Sequence, residues 1–83
     1  MPRVGQARKR DANEAAIVQA LEQIGCFVTR VSGRGAPDIL VRRGSMLFAF
    51  EIKGKRGQRT AAQRETGWPL IRSIDEALKA VGV

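Results

Sequence analysis

Histidine and tyrosine are both missing from this chain of 83 residues, and cysteine occurs once. Without an imidazole no Ser-His-Asp or Cys-His arrangement can be built, and no histidine can act as a general base. A single thiol, Cys26, excludes an intramolecular disulfide and any zinc site made from several cysteines. Its apolar neighbours place it in the core. Aromatic residues are few, three Phe and one Trp, and no apolar run approaches the length of a membrane span. There is no signal sequence and no basic amphipathic helix with a bulky aromatic face, so the expected setting is cytoplasmic, with no membrane partner. The nine glycines show neither G-x-G-x-x-G nor Walker spacing, which argues against a nucleotide cofactor. Any hydrolysis must therefore rely on carboxylates, lysine, water and metal.

Acids are scarce as well. Eight Asp and Glu stand against fifteen Lys and Arg, a net charge of +7, which favours a polyanionic partner with nucleic acid as first candidate. A chain of 83 residues makes one small domain near the lower limit for a self-sufficient core, so stabilisation by dimerisation is expected. Residues 1–10 carry Arg3, Arg8, Lys9 and Arg10 and read as a flexible basic arm, either touching a phosphate backbone or simply solubilising. Residues 11–83 form the domain.

Apolar residues Ile17, Leu21 and Ile24, joined by Ala16 and Val18, recur at helical spacing over 11–24, and Gly25 is placed to end that helix. A β-branched and aromatic stretch at 27–31 predicts a strand, and Ser32 to Pro37 then breaks regular structure. Gly44-Ser45 predicts a tight turn between strands at 38–42 and 46–53. With a two-residue loop, antiparallel pairing sets Arg43 opposite Met46, Val41 opposite Phe48, Ile39 opposite Phe50 and Asp38 opposite Glu51. Ile39, Val41, Phe48, Phe50 and Ile52 share one face, while Leu40, Leu47 and Ala49 share the other with the acids and Lys53. Apolar residues on both faces predict helices on both. Thr60-Ala61-Ala62-Gln63 has the form of a capping box for a second helix ending near Gly67. Residues 68–72 predict a short strand with Pro69 at its start or edge, and Ser73-Ile74-Asp75-Glu76 a second capping box before a last helix with Ile74, Ala77, Leu78 and Val81 as its apolar face. The order is α-β-β-β-α-β-α.

Two opposed carboxylates, with Cβ atoms about 5 Å apart, weaken a sheet unless a cation sits between them. Lys53, two residues beyond Glu51, points to the same face. Asp38 and Glu51 are hard oxygen ligands suited to Mg²⁺ or Mn²⁺, and such an ion polarises a phosphoryl oxygen and activates water. An acid pair with an adjacent ammonium is equipped for cleavage of a phosphodiester.

Gly35-Ala36-Pro37-Asp38, then Glu51-Ile52-Lys53-Gly54, then Gln63 in the next helix resemble the PD-(D/E)xK nuclease superfamily. More narrowly they resemble its VRR-NUC (virus-type replication-repair nuclease) family, over nearly the whole chain from Glu14 onward. The resemblance implies a restriction-endonuclease-like α/β fold, a mixed sheet flanked by helices. It implies metal ligation by Glu14, Asp38, Glu51 and the Ile52 carbonyl, with Lys53 assisting the water and Gln63 following as a catalytic helix residue. It also implies a homodimer that presents two active sites to branched DNA such as a Holliday junction, in a bacterial or phage setting.

Each residue has a plainer reading. Glu14 could complete an Asp-x-x-Glu cap from Asp11, but it also lies on the side of the helix that carries Ile17, Val18 and Leu21. Gln63 is equally well explained by its capping box. Asp38 could merely end a loop and Glu51-Lys53 an exposed strand, yet neither accounts for their opposition. Ser32, Arg34, Lys55, Arg56 and Arg59 are candidates for phosphate contacts, or simply a solvated basic surface. Trp68 fits core or interface packing better than stacking on a base. The expected activity is metal-dependent DNA endonuclease cleavage. The alternatives are a basic nucleic-acid-binding module without catalysis, or a nuclease for flaps or other DNA structures. A sequence-specific restriction enzyme is disfavoured because no segment remains for major-groove readout.

Overall fold

Helix α1 spans Glu14–Gln23 in the computed structural model, which describes residues 12–83. The basic arm at 1–10 and Asp11 lie outside the described residues. Ile17, Val18 and Leu21 form the buried stripe of α1. The helix is stopped by Gly25, whose φ of 94° is open to a residue without Cβ. Its N–H reaches the Glu22 carbonyl while that of Cys26 reaches Leu21, the paired bonds that satisfy a helix C-terminus.

The remaining elements are β1 (Phe27–Arg30), β2 (Ile39–Arg43), β3 (Met46–Ile52), α2 (Ala61–Thr66), β4 (Leu70–Ile71) and α3 (Ile74–Ala80). Their order agrees with the sequence pattern. The sheet runs β1-β2-β3-β4, antiparallel at the first two junctions and parallel between β3 and β4. The β2–β3 register is the expected one from Arg43↔Met46 to Ile39↔Phe50. Gly44 has φ 61° and Ser45 a negative φ, the combination of a type II′ hairpin turn.

One face of the sheet carries the core. Ile39, Val41, Phe50, Ile52 and Ile71 meet Ile17, Val18 and Leu21 of α1 and Ala77 and Val81 of the α3 region, with Cys26 buried beside them. Helices α1 and α3 thus cover this face together. Coverage of the other face is less complete: Leu40 and Ala49 are half-buried, whereas Phe27 and Leu47 are 66% and 69% exposed, Phe27 lying under the Arg42 guanidinium. Ile74, expected on the apolar face of α3, is also exposed, because it is the first residue of the helix and precedes the turn that reaches the core.

A core this small makes each buried side chain count. Leu21 is fully buried, so Leu21→Ala should lower unfolding free energy by about 3 kcal/mol, a large share of the roughly 5–15 kcal/mol available to a domain. Urea denaturation measures it. A loss below about 1 kcal/mol would mean that the site collapses onto the gap.

Candidate active site

Pro37 and Asp38 are both buried where the chain enters β2. The Asp38 N–H donates to the Phe50 carbonyl at 2.9 Å, its carbonyl accepts from Val31 N–H at 2.9 Å, and its Oδ2 accepts from Ile52 N–H at 2.7 Å. This corrects the expected register at one point: β2 begins at Ile39, and Asp38 is not a ladder partner of Glu51. The reason is Pro37, which has no N–H to continue the ladder. A carboxylate oxygen takes the place of the next backbone acceptor. The acids still converge, since Asp38 is bonded to the residue next to Glu51.

Glu51 is 2% exposed. Its backbone is fixed by an N–H bond to the Pro69 carbonyl at 2.8 Å, within the parallel pairing of β3 and β4. Its Oε2 accepts no hydrogen bond among the described residues, and Lys53 Nζ stands 3.8 Å from it, an ion-pair distance beyond hydrogen-bond reach. Burying a carboxylate oxygen without a donor is unfavourable, and such an oxygen has the lone pairs that suit a cation. Lys53 is itself largely covered, with 19% of its side chain exposed.

Glu14 lies in the first turn of α1 and is buried, and its Oε2 pairs with Arg30 Nε at 3.1 Å. It is therefore a buried acid already matched by a cation from the end of β1. The preceding residue, Asn13, occupies the N-cap position without capping its own helix. Its Nδ2 donates instead to the carbonyls of Lys53 at 3.2 Å and Arg72 at 3.0 Å, tying the start of α1 to the ends of β3 and β4. Among the described residues no three acids stand close enough to form a ready-made metal cage. Asp38 and Glu51 fit a hard divalent ion by donor type and by the unbonded Glu51 oxygen; Glu14 would have to turn from Arg30 to join them.

Gln63 is engaged in the cap of its own helix. Its Oε1 accepts from Thr60 N–H at 2.9 Å and its N–H donates to Thr60 Oγ1 at 3.1 Å, so both halves of the capping box are formed. The second expected box is only half formed: Ser73 accepts from Glu76 N–H, but Glu76 Oε1 reaches back to Arg72 N–H. Glu fills the same box position as Gln, so Gln63→Glu should leave thermal stability unchanged and cleavage within about threefold of wild type. A loss of two orders of magnitude in rate would assign Gln63 to the chemistry.

Ser32, Arg34, Lys55 and Arg56 are exposed on the loops that flank the acids. Arg59 differs, because its Nη2 donates to the Trp68 carbonyl at 2.6 Å. Trp68 lies outside the core cluster; its indole N–H donates to the Gly35 carbonyl at 2.7 Å and joins the loop before Asp38 to the segment before β4. Sequence reasoning missed Arg30, Asn13 and Arg72. Arg30 was accessible in principle, since pairing β1 with β2 sets it opposite Ile39 and hence beside Asp38. The Asn13 and Arg72 contacts span long sequence separations and left no local pattern.

A mixed sheet in this order, with a buried acid leading into β2 and Glu-x-Lys leaving β3, defines a restriction-endonuclease-like protein of the PD-(D/E)xK class. Within that class, the chain belongs to the archaeal Holliday junction resolvase (Hjc) family, whose model matches residues 5–77. The match carries the superfamily resemblance and not the VRR-NUC likeness in particular. It makes the chain a member of a family of DNA endonucleases. Comparison with the curated proteins and with the solved structures gave no match.

Proposed function

We propose that this chain is a divalent-metal-dependent endonuclease that hydrolyses phosphodiester bonds in branched DNA, four-way junctions first, and that it works as a homodimer presenting two active sites. The observation that carries the reading is Glu51: a buried carboxylate with one oxygen accepting no hydrogen bond among the described residues, flanked by Lys53 and by the Asp38 carboxylate bonded one residue away. Membership of the junction resolvase family supplies the substrate class. Among the described residues no helix is long and apolar enough to cross a membrane.

Asp38, Glu51 and the Ile52 carbonyl would hold Mg²⁺ or Mn²⁺, with Glu14 as a further ligand. When bound, the ion supplies Lewis acidity and a lowered pKa for its water. The rest follows from the chain. Lys53 offers an ammonium within reach of the charge that develops on the attacked phosphate, and its partial burial strengthens that interaction. Arg30 pairs with Glu14 at the start of α1. The exposed Arg34, Lys55 and Arg56 draw the DNA backbone in, so affinity is dominated by phosphate contacts and falls with salt.

Cleavage of labelled four-way, flapped and linear duplexes in Mg²⁺ and in Mn²⁺ tests the reading. Paired cuts near the branch point of the four-way substrate, with linear duplex left intact, are expected. Binding without cutting under either metal would leave a non-catalytic nucleic-acid-binding module, and preference for flaps would move the substrate within the same chemistry.

A further inference from the structure

The turn that follows Lys53 is held by an arginine that the mechanism above does not use. Arg72 follows β4 and so lies beside Lys53, because Ile71 pairs with Ile52 and Lys53 N–H donates to the Ile71 carbonyl at 3.2 Å. Arg72 Nη1 donates to the carbonyls of Gly54 at 2.7 Å and Gly57 at 2.6 Å, with the Lys55 carbonyl at 3.4 Å. Gly57 N–H closes the same turn onto the Gly54 carbonyl at 3.1 Å. The carbonyls of one tight turn are thus gathered around one guanidinium.

That turn rests on the lysine. A Cβ placed on Gly57 would stand 3.3 Å from both Cβ and Cδ of Lys53, closer than side chains normally pack. Gly57 has no positive φ to accommodate, so close approach is what its missing side chain serves. From the other direction, Asn13 Nδ2 bonds the carbonyls of both Lys53 and Arg72.

We propose that Arg72 is a positioning residue for Lys53: its guanidinium folds the 54–57 turn against the lysine's aliphatic stem and so keeps Nζ beside the Glu51 carboxylate. A lysine side chain left to itself is mobile and seeks water. Here it is largely covered. The covering turn carries exposed Lys55 and Arg56, whose repulsion of Lys53 would tend to open it. Hydrogen bonds from a charged donor are about twice as strong as neutral ones, and they oppose that opening. An arginine meant for phosphate would present its donors to solvent, whereas Nη1 of the half-buried Arg72 is engaged by backbone.

The effect on rate rests on the nuclease reading, but the positioning itself does not. The test is therefore double. Brief acetylation of the full chain, read by mass spectrometry, compares modification of Lys53 with that of exposed Lys79 in wild type, Arg72→Met and Gly57→Ala. Single-turnover cleavage of a four-way junction at saturating enzyme, with junction affinity measured in Ca²⁺, is followed on the same proteins. Arg72→Met should raise the Lys53-to-Lys79 labelling ratio at least about threefold and slow cleavage by about 10- to 100-fold, as expected for a displaced reacting group, with affinity within threefold. Gly57→Ala should act the same way more weakly, and serves if Arg72→Met does not fold. An unchanged labelling ratio overturns the proposal, as does weakened affinity with an unchanged saturated rate. If wild type does not cut at all, the nuclease reading fails while the labelling result still decides the role of Arg72.

Discussion

Glu51→Gln should abolish cleavage and leave the protein at least as stable as wild type. The two effects have a common origin. In the folded chain Glu51 is a buried carboxylate whose Oε2 accepts no hydrogen bond among the described residues and stands 3.8 Å from the Lys53 ammonium. Folding therefore proceeds against the desolvation of an ion. An amide of the same shape carries no charge to desolvate, so the thermal midpoint should hold or rise. The amide is also a poor ligand for a hard divalent ion, and Lys53 loses its counter-charge. A fall in rate of at least about 100-fold is expected, within the range seen when an essential acid or base is removed. Junction affinity in Ca²⁺ should stay level or improve, because a negative charge has left the surface that meets phosphate. Thermal unfolding and single-turnover kinetics on one preparation check both parts. A strongly destabilised Glu51→Gln would show that the carboxylate is a structural element.

Asp38 should behave differently, and two substitutions separate its roles. Its Oδ2 accepts the buried Ile52 N–H at 2.7 Å, a bond that replaces a missing ladder contact beside Pro37. Asp38→Ala leaves that N–H buried without an acceptor, which costs about 1–3 kcal/mol and loosens the exit of β3 together with Glu51 and Lys53. Asp38→Asn can keep the acceptor in its side-chain oxygen while losing the charge. Both variants should lose cleavage by at least about 100-fold, but only Asp38→Ala should lose stability by more than about 1 kcal/mol. Urea unfolding of the pair is the decisive comparison. Equal stability would mean that a relaxed backbone or water satisfies Ile52, and residual cleavage in Asp38→Asn would remove Asp38 from the ion's ligands.

Much of this arrangement is legible in the sequence because its determinants are local. Gly44-Ser45 sets a two-residue turn, and alternation then sets the β2–β3 register and puts Ile39, Val41 and Phe50 in the core. Gly25 and the Thr60–Gln63 box mark helix ends through bonds made within a few residues. The register failed only at Asp38, where proline removes a donor and a side chain substitutes for backbone. What stayed hidden is non-local. The pairing of Arg30 with Glu14 depends on how α1 lies across the end of β1, and the Asn13 and Arg72 bonds join segments 40 or more, and 15 or more, residues apart. Gln63 shows the opposite hazard: one residue fits two patterns, and the structure has it in the capping box.

Whether Asp38 and Glu51 share a divalent ion separates a nuclease centre from a pair of buried structural acids. Crystals soaked in Mn²⁺ and measured at the manganese absorption edge answer this directly. An anomalous peak within coordination distance of both carboxylates is the predicted result, with Glu14 either joining them or remaining on Arg30. No peak at these two acids, in a protein that cuts four-way junctions in Mn²⁺ solution, would contradict the account.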